Sequence, residues 1–158
     1  GGYFVNGEPL AQFEFTEIAG PPKVVSGVKN YPLADKARKV LRSADWTGFA
    51  YLTFTQTSDG DFVLTQFEPG LWDSYALAPK SGVPVVSIGI EHALGLRVPS
   101  MTGLDYRDLR MVFPAREAAE IYANRDLTRI PGAVKTMLTP GTKWDADVAN
   151  LAAYLPPK

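Results

Sequence analysis

The chain has 158 residues, of which 46% are hydrophobic and 21% charged, and its formal net charge is -1. This balance is typical of one globular domain and gives no support for binding to nucleic acid or to an acidic membrane surface. The absence of cysteine excludes disulfides, thiolate metal sites and cysteine catalysis, and no apolar run approaches the roughly 20 residues that span a bilayer.

The start of the chain, Gly1-Gly2-Tyr3, lacks an initiator methionine and the basic and apolar segments of a signal peptide. We therefore expect a cytoplasmic protein, and we interpret the chain as a piece of a longer polypeptide. The sequence has no internal repeat, low-complexity tract or internal linker, so we expect residues 1–158 to form a single domain.

Two predicted hairpins organise the first half of the chain. Residues 3–5 and 11–18 have the pattern of strands, and the Asn6-Gly7 dipeptide between them is a strong hairpin signal. Residues 48–57 and 61–67 form a second predicted hairpin. A short strand-like segment and a helix over 33–42, opened by Pro32, lie between the two hairpins.

Helices are predicted after the second hairpin. They cover residues 71–78, 84–94, 116–123, 132–138 and 147–154. Together with the hairpins they predict an α+β fold, in which a mostly antiparallel sheet carries helices packed on one side.

The centre of the chain has a distinctive order of residues. The hairpin over 48–67 is followed by Pro69, Trp72, Ser74, Leu77, Ala78 and Gly82. This stretch resembles the ATP-grasp superfamily, especially its carbamoyl-phosphate-synthase-like branch, where a hairpin ends in Glu-x-Asn-Pro-Arg and a helix follows. The resemblance covers roughly residues 3–97 and leaves 98–158 as a helical tail.

The resemblance implies an ATP-dependent carboxylate–amine ligase that forms an acyl phosphate and uses ATP and Mg²⁺. The positions that match the family's metal ligands are Thr53 on one strand and Gln66 and Glu68 on the next. Residues at i and i+2 of a strand point to the same face, so the spacing suits a shared site. The alternative is that Glu68 is a surface acid and that Gln66 and Thr53 are ordinary strand residues.

The sequence also departs from the family. Thr53 and Gln66 stand where acids are usual, Glu68 stands in place of the asparagine, and Gly70 replaces the arginine. One carboxylate and two neutral groups offset little of the charge of a triphosphate, and glycine cannot clamp phosphate as arginine does. These departures predict lost or greatly altered catalysis, and we assign no catalytic residue.

Three further residues are candidates for substrate or phosphate contacts. Asp73 and Ser74 lie at a predicted helix start, where backbone donors favour anions, although a helix cap is the alternative. Arg97 is proposed only because it is close to the motif. His92, the single histidine, is expected to have a structural role.

Three hypotheses follow for the chain. It is the carboxy-terminal part of an ATP-grasp ligase, or a degenerate ATP-grasp binding or assembly module of a larger protein, or a structural piece that pairs with another subunit. In each case the partner is a missing nucleotide-binding lobe, the parent polypeptide or another protein. Nucleic acid and membranes are not expected partners.

Overall fold

The computed structural model of the chain describes residues 1–18, 24–101 and 106–144. In this part the fold is α+β, with two four-stranded, mostly antiparallel sheets and five α-helices, which confirms the predicted fold class. The strands are β1 (Gly2–Val5), β2 (Glu8–Gln12), β3 (Phe15–Ile18), β4 (Val24–Gly27), β5 (Gly48–Gln56), β6 (Phe62–Pro69), β7 (Arg110–Val112) and β8 (Thr142–Trp144). The helices are α1 (Tyr31–Ser43), α2 (Leu77–Ser81), α3 (Val85–Ala93), α4 (Pro114–Asn124) and α5 (Ile130–Met137).

The chain divides into two compact units. Unit 1 contains residues 1–14 and 27–107, and unit 2 contains residues 15–26 and 108–158. The chain therefore passes from one unit to the other three times, after residues 14, 26 and 107.

The sheet of unit 1 has the strand order β2-β1-β5-β6, and each neighbouring pair is antiparallel. Asn6 and Gly7 join β1 to β2 with φ values of 51° and 77°, the left-handed backbone that a two-residue hairpin turn requires. The Gly7 N–H donates to the Trp46 carbonyl at 2.8 Å, and a Cβ on Gly7 would lie 2.4 Å from Arg42 Cα. A hairpin therefore forms at the predicted Asn6-Gly7 turn, where only glycine fits at position 7, but its second strand begins at Glu8 and not at residue 11.

The predicted single strand over 11–18 is wrong. Phe13 and Glu14 interrupt it, and the two halves, β2 and β3, belong to different sheets. The Phe13 side chain is fully buried, and its N–H bonds the Gly1 carbonyl at 2.9 Å. Apolar alternation continues across this break, which is why the sequence pattern did not show it.

Helices cover both faces of the sheet of unit 1, whereas we expected them on one side. Phe4 and Ala50 form a buried cluster with Leu41 of α1. Neighbouring strand residues point to opposite faces, and Tyr3 and Phe49 accordingly lie against α3 at Gly89, where an added Cβ would lie 2.8 Å and 2.3 Å from their rings. The absence of a side chain on Gly89 lets α3 approach the sheet closely.

The helix that follows the second hairpin is displaced from its predicted position. We expected a helix over 71–78, but residues 73–76 form turns and α2 runs from Leu77 to Ser81, ending at Gly82 in the left-handed conformation. α3 agrees with the helix predicted over 84–94, which was expected to stop at Gly95.

Unit 2 is built around the sheet β3-β4-β7-β8, in which β4 and β7 are antiparallel and β7 and β8 parallel. Val25, Met111 and Val112 are its fully buried side chains among the described residues. The predicted helices over 116–123 and 132–138 correspond to α4 and α5. Strands β7 and β8 have three residues each, too few to show a periodic sequence pattern.

The helix predicted over 147–154 lies outside the described residues. Within residues 1–18, 24–101 and 106–144, no helix has the length and hydropathy needed to cross a membrane.

Candidate functional site

The β5–β6 hairpin brings the three predicted metal ligands to one face of the sheet. Thr53 lies directly opposite Gln66, and Glu68 follows Gln66 by two residues and lies opposite Tyr51. Opposite residues and residues two apart share a face, so all three side chains project on the same side. A bulge at Thr65 ends this regular register, because Phe54 pairs with Leu64.

The contacts within this face show what the three side chains can offer a ligand. Gln66 Nε2 donates to Glu68 Oε1 at 2.6 Å, and both residues are exposed. Thr53 Oγ1 is shielded from solvent and meets no hydrogen-bond partner in the part of the chain that the structure describes. The face therefore offers one negative charge, one amide and one hydroxyl oxygen that lacks a partner.

These three oxygen ligands fit a single hard cation, although poorly. Carboxylate, amide and hydroxyl oxygens are ligands that Mg²⁺ accepts, and the unsatisfied Thr53 hydroxyl would gain a partner. Yet the charge comes from Glu68 alone, and Glu68 already accepts a hydrogen bond. Among the described residues, no group of three His, Cys, Asp or Glu side chains is placed to hold a metal ion.

The backbone at Gly70, the position that the resemblance assigns to arginine, is unfavourable for any side chain. Gly70 follows β6 with a φ of +108°, a conformation that strains any residue with a side chain. Its N–H donates to the Phe49 carbonyl at 3.0 Å, which holds the chain in this turn. An arginine here would have open space for its Cβ but an unfavourable backbone.

Asp73 and Ser74 do not lie at a helix start. They belong to the turns before α2, whose N-cap residue is Ala76. Asp73 is exposed, while Ser74 is buried and its carbonyl accepts from the Leu77 N–H at 3.0 Å. The argument from backbone donors at a helix start therefore does not apply to either residue.

Arg97 lies beyond the end of α3 and is exposed. Among the described residues, no hydrogen bond or ion pair joins it to Thr53, Gln66 or Glu68. His92, on α3, lies against Tyr3, with its Nδ1 3.2 Å from the tyrosine hydroxyl and the two ring centres 5.6 Å apart. This contact agrees with the expected structural role of His92.

An aromatic pair that the sequence analysis did not single out lies beside Glu68. Tyr51 is opposite Glu68 in the ladder, and its ring stacks on that of Trp72 with centres 6.2 Å apart and planes at 22°. Trp72 is buried and packs against Gly1. The sequence feature that could have predicted the position of Tyr51 is its two-residue spacing from Thr53 on β5, which places both side chains on the same face.

Comparison of the chain with protein-family models, with curated proteins and with solved structures finds no match in any of the three.

Proposed function

We propose that the chain is the carboxy-terminal part of the ATP-grasp domain of an ATP-dependent carboxylate–amine ligase. One observation carries the proposal: the second hairpin projects Thr53, Gln66 and Glu68 from one face, in the arrangement that the resemblance requires. The proposal implies a cytoplasmic protein, where ATP and magnesium are available.

On this proposal, Glu68 supplies the charged ligand, and Gln66 and Thr53 supply neutral oxygens. A bound Mg²⁺ would offset part of the phosphate charge of the nucleotide. Tyr51 and Trp72 support the strand that carries Glu68, since Tyr51 lies opposite it and stacks on the buried indole. The remaining nucleotide contacts come from a second lobe, so the chain alone does not catalyse the ligation.

Calorimetric titration of MgATP, repeated with Mn²⁺ alone, tests the proposal. We expect weak binding, with a Kd on the order of 1 mM or about −4 kcal/mol. Glu68→Ala should weaken binding at least tenfold, about 1.4 kcal/mol, because it removes the charged ligand. The control is Glu91→Ala, which removes an exposed glutamate from α3 and should leave binding unchanged.

Equal weakening by Glu68→Ala and Glu91→Ala would contradict a site on the hairpin. If the chain does not bind, the titration is repeated on the parent polypeptide that contains the second lobe. Binding there that depends on Glu68 would support the ligase fragment, and binding that ignores Glu68 would exclude it.

The second candidate function is a degenerate binding or assembly module. It is favoured by the 2.6 Å hydrogen bond from Gln66 to Glu68, since an amide that bonds the sole carboxylate stabilises the face without a cation. On this candidate, neither the chain nor its parent binds MgATP or Mn²⁺ at roughly 10 mM. Titration at this concentration detects binding free energies as weak as about −3 kcal/mol.

A further inference from the structure

At the boundary of unit 1 lies a group of polar contacts that do not involve Thr53, Gln66 or Glu68. Three chain segments lead out of unit 1, and they end or begin at Glu14, Gly27 and Arg107. Residues of unit 1 next to each of these points contact one another. The group consists of Glu14, Val28, Asn30 and Tyr106.

Tyr106 is the centre of this group. Its side chain is buried, and its hydroxyl donates to the Val28 carbonyl and accepts from the Glu14 N–H at 3.3 Å. The Glu14 carbonyl lies 3.4 Å from the same hydroxyl. The Tyr106 ring packs on that of Phe13 with centres 4.7 Å apart, and Lys29 Nζ lies 5.7 Å from the centre of the Tyr106 ring. One hydroxyl group therefore joins all three segments.

Glu14 makes further hydrogen bonds that connect these segments. Its carbonyl accepts from the Val28 N–H at 3.0 Å, and its Oε2 accepts from the Asn30 N–H at 2.8 Å. Gln12 Nε2 donates to Oε1 at 3.0 Å. Glu14 is buried, so these donors replace the water that a carboxylate loses on burial.

We propose that Tyr106 and Glu14 form a clasp that holds the three segments leaving unit 1, and that this clasp opens as one event while the sheet of unit 1 stays folded. The hydrogen bonds of the clasp form one connected network, and the Tyr106 ring packs beside it on Phe13. The sheet, in contrast, rests on the apolar cluster of Phe4, Leu41 and Ala50. Two sets of interactions with different partners can open separately, as local unfolding units do.

Native-state hydrogen exchange on the whole chain, followed by NMR, tests this proposal. The reporters are the amides of Glu14, Val28 and Asn30, which all donate within the clasp. The references are the amides of Gly7 and Trp46, which bond carbonyls elsewhere in unit 1. Tyr106→Phe removes the hydroxyl and keeps the ring against Phe13. Tyr31→Phe, at a tyrosine that is 65% exposed, is the matched control.

In Tyr106→Phe we expect all three reporters to exchange at least tenfold faster and the references to change less than twofold. Asn30 is decisive, because its hydrogen bond goes to the Glu14 carboxylate and is not made to Tyr106. Glu14→Ala provides the converse test. It removes the acceptor of Asn30, and it should also accelerate Val28, although Val28 bonds the Glu14 backbone.

The proposal fails if only the reporters that directly lose a partner accelerate, because the contacts would then be independent of one another. It also fails if Gly7 and Trp46 accelerate as much as the reporters, because Tyr106 would then be an ordinary core residue of unit 1. Unchanged rates in both variants would overturn it as well.

Discussion

The two units of the chain are stabilised in different ways. Unit 1 buries large side chains from several elements, including Phe4, Phe13, Leu41 and Leu77. Among the described residues, unit 2 has a smaller set of buried apolar residues and includes a buried carboxylate, Glu117, paired with Arg129 at 2.9 Å. Apolar packing therefore dominates the first unit, whereas a desolvated ion pair contributes to the second.

Among the described residues, both units also expose large apolar side chains. Helix α5 and the residues around it present an apolar stripe to solvent in unit 2, with Ile130 and Val134 about half exposed and Leu127 and Leu138 about two-thirds exposed. Exposed apolar side chains contribute nothing to a core, so truncation of any one of them should lower the free energy of unfolding only slightly. Three substitutions test the different ways in which the two units are stabilised.

Leu41→Ala should give the largest loss. Leu41 is fully buried between Phe4 and Ala50, so the substitution leaves a cavity and lowers the free energy of unfolding by about 3–4 kcal/mol. Denaturant unfolding by circular dichroism measures the loss. The matched control is Leu94→Ala at a leucine that is 71% exposed, where the change should stay within about 0.5 kcal/mol. Similar losses for the two variants would contradict the assigned core of unit 1.

Glu117→Ala should give an intermediate loss of about 2 kcal/mol. Removing one partner of a buried ion pair usually costs about 3–5 kcal/mol, but Arg129 keeps Glu120 at 3.2 Å and part of its contact with solvent. The control is Glu120→Ala, which removes a half-exposed partner of the same arginine and should cost less than about 1 kcal/mol. If the two variants unfold alike in denaturant, the buried ion pair of Glu117 contributes no more to unit 2 than the half-exposed pair of Glu120.

The difference between the units also explains which parts of the fold the sequence could predict. Both hairpins of unit 1 are local, and each has its turn residues in the sequence: Asn6-Gly7 for the first and Ser58-Asp59-Gly60 for the second. The sheet of unit 2 joins β4 to β7 and β7 to β8, which lie far apart in the chain and are too short to show a period. Non-local pairing of short strands leaves no local signal, and none was predicted.

The candidate site followed the same rule. The shared face of Thr53, Gln66 and Glu68 could be predicted, because it depends only on strand spacing and hairpin register. The positions of Asp73 and Ser74 could not, because the apolar pattern over 71–78 predicts one helix, whereas residues 73–76 form turns and α2 begins only at Leu77. Arg97 was chosen from its position in the sequence alone, and such proximity does not determine distance in space.

Glu14 offers the smallest of the three effects, and it tests unit 1 through pH. Burial raises the pKa of the Glu14 carboxyl above its ordinary value of 4.5, and the hydrogen bonds from Asn30 and Gln12 only partly counter this. In the interval between the two pKa values, the native state keeps a proton that the unfolded state has released. Glu14 therefore makes the protein less stable as pH rises from 4.5 through its raised native pKa.

Glu14→Gln should remove this dependence. The free energy of unfolding of the variant minus that of the parent should rise as pH increases from 4.5 and level off above the raised native pKa of Glu14. The gain should stay below about 1 kcal/mol, because a neutral amide accepts more weakly than a carboxylate from the Asn30 N–H. The Gly1 α-amino group, whose pKa burial lowers to about 5, interacts with Glu14, so removing the carboxylate lowers that pKa further and adds to the rise of the difference. Since Glu91→Gln changes an exposed carboxylate, its difference curve should be flat, and a flat curve for Glu14→Gln as well would mean that burial of Glu14 costs the fold nothing.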